Sequence, residues 1–167
     1  MQTFTGRKFW PIDPRAEDIC IEDIAHALSM MCRFNGHCKK FYSVAEHSVL
    51  VSRAVSDEYA LWGLLHDATE AYIADIVKPA KPYIEGYAAV ESRLMEAVCD
   101  AFGLDHDMPE EVKVADCAVL ADEADQIMGD HPDDWNLPFE PSGQKVVGFN
   151  SDMAKRVFIN RFYEVTS

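Results

Sequence analysis

A chain of 167 residues, 49% of them hydrophobic, is long enough to bury one good core and short for two, so one domain over 1–167 is expected. Its 29 acidic against 15 basic side chains leave a net charge of -14, which works against a polynucleotide partner held through phosphates; a small anion remains admissible where a few cations gather. Five cysteines without a Cys-x-x-Cys pair, no apolar run near the ~18 residues of a membrane span and no signal-peptide pattern point to a cytoplasmic protein with reduced thiols, no disulfide framework and no membrane partner.

Residues 3–19 are irregular, with Gly6, Pro11 and Pro14 punctuating Phe4, Phe9 and Trp10, which predicts an arm with at most a short hairpin, its aromatics tucked onto the core. Ile21, Ile24, Ala25, Leu28 and Met31 then recur at helical spacing and leave His26 off the buried face. The stretch Cys32-Arg33-Phe34-Asn35-Gly36-His37-Cys38 breaks that pattern with a turn signal at Asn35-Gly36, and a loop of this kind can carry function. Ser43 and Glu46 form a capping box that opens a helix bearing Val44, Val49, Leu50, Val51 and Val55. His47 falls in its first turn and reads, taken alone, as a satisfied histidine near a helix end or as a ligand.

If residues 57–73 are helical, Leu61, Leu64, Leu65 and Ala68 form an apolar stripe, while His66, Asp67 and Glu70 share one polar face. Polar heads beside a core need a partner or a metal, and a carboxylate one turn past a ligand pair is placed to handle the proton of an activated water. The plain alternative is a surface ion pair with a half-buried histidine. Pro79 and Pro82 end regular structure, with Lys78 and Lys81 conspicuous in so acidic a chain. Ile84, Tyr87, Val90, Leu94, Val98 and Phe102 predict an amphipathic helix closing at Gly103. Asp107 can cap a further helix, with Pro109 near its first turn, Val112, Ala115, Val119, Leu120 and Ile127 on its apolar side and Gly129 at its end. On it Lys113 and Asp116 lie three apart, a spacing that by itself suits a solvated ion pair. Residues 131–148 are loop-rich, with Pro132, Pro138, Pro141 and Gly143, and a last helix from Ser151 packs Val157, Phe158, Phe162 and Val165.

Helix periodicity thus leaves His47, the His66-Asp67 pair and Asp116 near the core on separate elements. Through Val44-Ala45-Glu46-His47-Ser48, Leu65-His66-Asp67-Ala68-Thr69-Glu70 and Val112-Lys113-Val114-Ala115-Asp116 the chain resembles the HD-domain metal-dependent phosphohydrolases. Within them it looks most like the small bacterial and phage 5'-deoxynucleotidases and dATP triphosphohydrolases, over about residues 4–127. The resemblance implies an all-α, single-domain helical bundle. It implies one divalent metal on His47, His66, Asp67 and Asp116, and mixed nitrogen and oxygen ligation suits Mn, Fe, Co or Zn better than Mg. It makes Glu70, with Asp67, the catalytic carboxylates, Glu70 serving proton transfer. Arg33-Phe34 matches the family's Arg-Trp or Arg-Phe pair at the deoxyribose and base, Asp75 an aspartate near the phosphate, and Lys81 and Lys113 basic residues that can face phosphate.

The activity implied is hydrolysis of a deoxynucleotide, a 5'-monophosphate or a triphosphate such as dATP, by a homo-oligomer. If Arg33, Lys81 and Lys113 all face the metal a triphosphate fits, and if only one does a monophosphate fits better. Two alternatives are an HD nuclease on a polynucleotide, disfavoured by the acid balance, and a nucleotide-binding protein without turnover. No His-Glu-x-x-His occurs, which excludes a zincin protease.

Overall fold

A computed structural model describes residues 1–130 and 139–167. The chain is all-α: among the described residues it has no strand, only two isolated antiparallel bridges, Gln2 with Lys8 and Cys32 with Ser43. The first bridge closes a small hairpin around Gly6, whose φ of 85° suits glycine. Of the arm's aromatics Phe9 alone is fully buried, stacked on Tyr72 with ring centroids 4.1 Å apart. Trp10 stays exposed and Phe4 lies outside against His26, so the expected tucking of all three is corrected: the hairpin turns alternate side chains outward.

Helix α1 (Ile21–Met30) buries Ile21, Ile24, Ala25 and Leu28, as its spacing predicts. Helix α2 (Val44–Ala54) is the axis of the fold, buried continuously from Val44 to Ser52. One side, through Val44, Ala45 and Val49, joins a core with Phe9, Ile24, Leu28, Leu64, Leu65, Leu94 and Phe158. Leu50 and Val51 join a second core with Tyr42, Trp62, Val112, Val119 and Ile127. A helix buried all round must find a partner for each of its polar side chains. Ser43 caps it as expected, its Oγ accepting the Glu46 N–H at 3.1 Å. Glu46 does not reach back to complete the box. Its carboxylate accepts the N–H groups of Val147, Gly148 and Phe149 at 2.7, 2.9 and 2.7 Å, because three converging donors satisfy a buried charge better than one amide.

The helix expected over 57–73 is broken into α3 (Ala60–Leu65) and α4 (Glu70–Ile73). Between them the bonds shorten to the i-to-i+3 pattern, Ala68 N–H to Leu65 and Glu70 N–H to Asp67, which tightens the turn at the His66-Asp67 pair. Helix α3 lies hard on α2: a Cβ on Gly63 would stand 3.0 Å from the Ser52 Cα. Helix α5 (Tyr87–Phe102) starts three residues later than its apolar pattern and ends at Gly103, φ 68°, as expected. Helix α6 (Glu110–Ile127) starts after Pro109 with no side-chain cap, so Asp107 does not cap it, and it stops at Met128 instead of Gly129.

Helix α7 (Ser151–Thr166) is capped by Asn150 and packs on α1, α2 and α3. Its Arg161 donates to Ser52 Oγ and to the Ser52 carbonyl at 3.0 and 2.9 Å, closing the C-terminal end of α2. The strap 142–149 is tied down by Glu46, by Asp122, which accepts from Ser142, Gly143 and Gln144, and by Lys40, which donates to the Val146 and Val147 carbonyls. Residues 131–138, part of the loop-rich stretch with Pro132 and Pro138, lie outside the described residues. No helix among the described residues is long and apolar enough to cross a membrane.

Candidate functional site

The site forms where the first turn of α2, the turn between α3 and α4, and the middle of α6 meet. His47 is fully buried, and its Nδ1 stands 2.6 Å from Glu123 Oε1; a carboxylate can only accept, so Nδ1 carries the proton. His66 Nδ1 lies 2.8 Å from the Gly63 carbonyl and must likewise donate. When a ring is neutral its Nε2 therefore carries the lone pair, and the two Nε2 atoms face each other at 3.2 Å. Two lone pairs at that distance repel unless a proton or a cation lies between them.

Carboxylates close the cluster. Asp67 Oδ2 is 3.3 Å from His66 Nε2 and 3.7 Å from His47 Nε2. Asp116 Oδ1 is 3.1 Å from His47 Nε2 and 3.9 Å from His66 Nε2. Ligands around one ion at about 2.1 Å stand roughly 3.0 to 3.4 Å apart; the 3.1, 3.2 and 3.3 Å spacings fall in that range and the 3.7 and 3.9 Å ones lie beyond it. The buried His47 and His66 and the partly exposed Asp67 form a cluster that could hold a metal ion. The orientation of each imidazole by a second hydrogen bond is the usual companion of such a site.

The electrostatics agree with a place for positive charge. Burial opposes protonation of His66, yet Asp67 and Asp116 overcome it and push the imidazole up to about 9. His47 moves up as well, against burial and Arg33, through Glu123 and Asp116. Burial alone would raise Asp67; the two imidazoles and Arg33 hold it far below the ordinary carboxylate range. Asp116 is likewise held low, chiefly by His47, against its burial. Glu70 behaves in the opposite way: burial, then the charges of Asp67 and Asp75, push its carboxyl up to about 9. Its Oε2 is buried with no hydrogen-bond partner among the described residues. Asp75 moves up for the same reasons, burial first.

Arg33 reaches the cluster from the 32–38 loop, with NH2 3.0 Å from Glu123 Oε2 and NH1 3.7 Å from Asp67 Oδ2. The Phe34 ring lies under the guanidinium at 5.1 Å, and Phe34 and Asn35 take left-handed φ values of 55° and 52° in a turn spanning Arg33–Gly36. Lys81 pairs instead with Glu91 of α5 at 2.8 Å, next to the Tyr87 ring. Lys113 is exposed and pairs with Glu110 at 3.3 Å on the outer side of α6.

Two residues that spacing did not single out, Glu123 and Tyr42, complete the site. Glu123 is fully buried and accepts from His47, Arg33 and Tyr42, the Tyr42 hydroxyl at 2.8 Å. Burial would raise its carboxyl, but Arg33, His47 and Tyr42 hold it low. The signal was available: Glu123 lies two turns beyond Asp116 and stands four residues from both Val119 and Ile127, a carboxylate on the apolar stripe of α6.

Fold and site together define an all-α protein in which His47, His66 and Asp67 form a cluster that could hold a metal ion. No family model matches the chain. It is 43% identical over 123 residues, 74% of its length, to the uncharacterized protein YfdR of Escherichia coli, of which it covers 69%. It is 39% identical over 139 residues to an uncharacterized protein of Rhodobacter capsulatus, covering 75% of this chain and 71% of that one. The chain belongs to the family of these two proteins.

Proposed function

We propose that the chain is a metal-dependent phosphohydrolase of the HD-domain type acting on deoxynucleotides. The observation that carries the reading is the meeting of His47, His66, Asp67 and Asp116, from three separated stretches of sequence, with both imidazole lone pairs turned inward at 3.2 Å. The donor set fits a divalent transition metal, Mn, Fe, Co or Zn, better than Mg. Such an ion, when bound, polarises a phosphoryl oxygen and lowers the pKa of water.

The remaining work belongs to the chain. His47 and His66 are held in the ligating tautomer by Glu123 and the Gly63 carbonyl. Glu70, with a buried free oxygen and a carboxyl pushed up to about 9, exchanges a proton near neutral pH more readily than an ordinary carboxylate. Arg33 brings a fixed positive charge and Phe34 an apolar ring to the side where the sugar and its phosphate would lie. Of the three cations Arg33 contacts the cluster, while Lys81 is engaged by Glu91 and Lys113 by Glu110. That distribution favours a monophosphate ester over an extended triphosphate tail.

The test is a release screen for phosphate, pyrophosphate and triphosphate over deoxy- and ribonucleoside mono-, di- and triphosphates, with Mn, Co, Fe or Zn. The expected result is phosphate release from a deoxynucleoside monophosphate, with turnover about a hundredfold or more lower in Glu70→Gln at unchanged metal content. No release from any nucleotide with any of the metals refutes the reading, and degradation of single-stranded DNA in its place identifies the nuclease.

A further inference from the structure

The loop that delivers Arg33 begins and ends on a cysteine. Its feet are fixed: Cys32 forms the antiparallel bridge with Ser43, Arg33 N–H bonds to the Tyr42 carbonyl at 2.9 Å, and Lys39 N–H bonds to the Ile127 carbonyl at the end of α6 at 2.8 Å. The chain leaves and returns within this neck, which brings Cys32 Sγ and Cys38 Sγ to 3.7 Å, van der Waals contact for two sulfurs. Both side chains are partly exposed, so a small oxidant reaches them from solvent, whereas Cys20 and Cys99 are buried. Cys38 Sγ also donates to the Lys40 carbonyl at 3.0 Å.

We propose that Cys32 and Cys38 are a redox-active dithiol, which a peroxide-class oxidant converts to an intramolecular disulfide that repositions Arg33 at the cation cluster. The chemistry balances with hydrogen peroxide. One thiolate attacks the peroxide O–O bond, forming a sulfenic acid and releasing one water; the second sulfur then displaces the sulfenic oxygen as a second water, forming the S–S bond. Two electrons pass from the sulfurs to the peroxide, and both thiol protons end on water. A dithiol reductant reverses the step by exchange.

A disulfide bond of about 2.05 Å requires the sulfurs to approach by about 1.7 Å from their contact. Side-chain rotation absorbs part of that movement. The rest falls on a turn already strained, because Phe34 and Asn35 sit in the left-handed region without being glycine. Arg33 is the residue next to Cys32, and its contacts of 3.0 Å to Glu123 and 3.7 Å to Asp67 leave no slack for a moving backbone. Closing the neck therefore alters the charge beside Asp67. That consequence for turnover rests on the phosphohydrolase reading; the oxidation itself does not.

The experiment treats the fully reduced, metal-loaded chain with equimolar hydrogen peroxide, denatures it in iodoacetamide and measures intact mass. The expected result is alkylation of three of the five cysteines, loss of two hydrogen atoms, a peptide map joining Cys32 to Cys38, and full reversal by dithiothreitol. Cys32→Ser and Cys38→Ser each abolish the loss, and an arsenical that bridges neighbouring thiols blocks it in the unaltered chain. Five alkylated cysteines after oxidation, a bridge to Cys20, Cys99 or Cys117, or protection that vanishes with a chelator and leaves no mass change overturns the proposal.

Coupling to the cluster is read by metal titration and by nucleotide turnover, which should fall by up to about 100-fold on oxidation and stay constant in Cys38→Ser. A disulfide that forms with neither property changed overturns the role of Arg33. Reduced protein that turns over no nucleotide refutes the phosphohydrolase reading alone, because mass and metal affinity still report on the dithiol.

Discussion

Replacing Glu123 by Gln tests the central electrostatic argument. The side chain keeps its shape and loses its charge, and one of its two acceptor oxygens becomes a donor. If the amide nitrogen turns to Arg33, two donors meet at the present 3.0 Å contact and one charge-assisted hydrogen bond is lost, about 1.5 to 3 kcal/mol. The bonds from His47 and Tyr42 then persist but fall from charge-assisted to neutral strength, about 1 kcal/mol more. Arg33 keeps Asp67 at 3.7 Å, which offsets part of the loss, so the net is about 3 kcal/mol. A domain stable by about 5 to 15 kcal/mol survives that, with a Tm lower by roughly 6 to 12 °C. His47 also loses the anion that fixes its tautomer, and metal affinity should fall about 10- to 100-fold. Thermal unfolding and calorimetric titration with Mn or Zn measure the two effects. Glu123→Gln with affinity and Tm unchanged refutes the argument, and lost stability with intact affinity shows that Glu123 supports packing without orienting His47.

Other outcomes follow from the same geometry. Asp67→Ala should abolish metal retention while circular dichroism keeps its helical signal, since Arg33 retains Glu123 and the turn rests on backbone bonds. His66 is pushed up to about 9 from an ordinary 6.5, so in the metal-free protein its contribution to stability is complete below pH 6.5 and disappears as pH rises through 9. A metal must displace that proton, and its affinity should climb about tenfold per pH unit until it levels near pH 9; titrations at successive pH values that show a flat profile contradict the assignment. Gly63→Ala should cost about 1 to 3 kcal/mol in denaturant unfolding, because the new methyl meets the Ser52 backbone at 3.0 to 3.2 Å and neither helix can yield.

Much of the architecture was legible in residue spacing. The stripes Ile21-Ile24-Ala25-Leu28 and Leu94-Val98-Phe102 forecast α1 and α5 because a helix records its buried face every three or four residues. Ser43 announced the start of α2, and Gly103 the end of α5, through local backbone chemistry that needs no distant partner. His47, His66, Asp67 and Asp116 were named as ligands through the family resemblance, because spacing alone also allowed a satisfied histidine, a surface ion pair and a solvated Lys113–Asp116 pair.

What spacing does not encode is the atom standing opposite. Glu46 looked like half of a capping box, yet its partners lie about a hundred residues later in the strap. Lys113 and Asp116 shared a helix face on paper, but one turn separates a solvent-facing ammonium paired with Glu110 from a carboxylate 3.1 Å from His47. The regular 57–73 helix gave way at His66 because packing α3 on α2 while presenting His66 and Asp67 to His47 requires a tighter turn than an unbroken helix provides. Glu123 became the keystone only when α6 was laid across α2, which set its carboxylate between His47, Tyr42 and Arg33. Periodicity is a property of one element and its buried face. The pairing of buried charges is a property of two elements at hydrogen-bond distance, and in this chain it was decided by the tertiary structure.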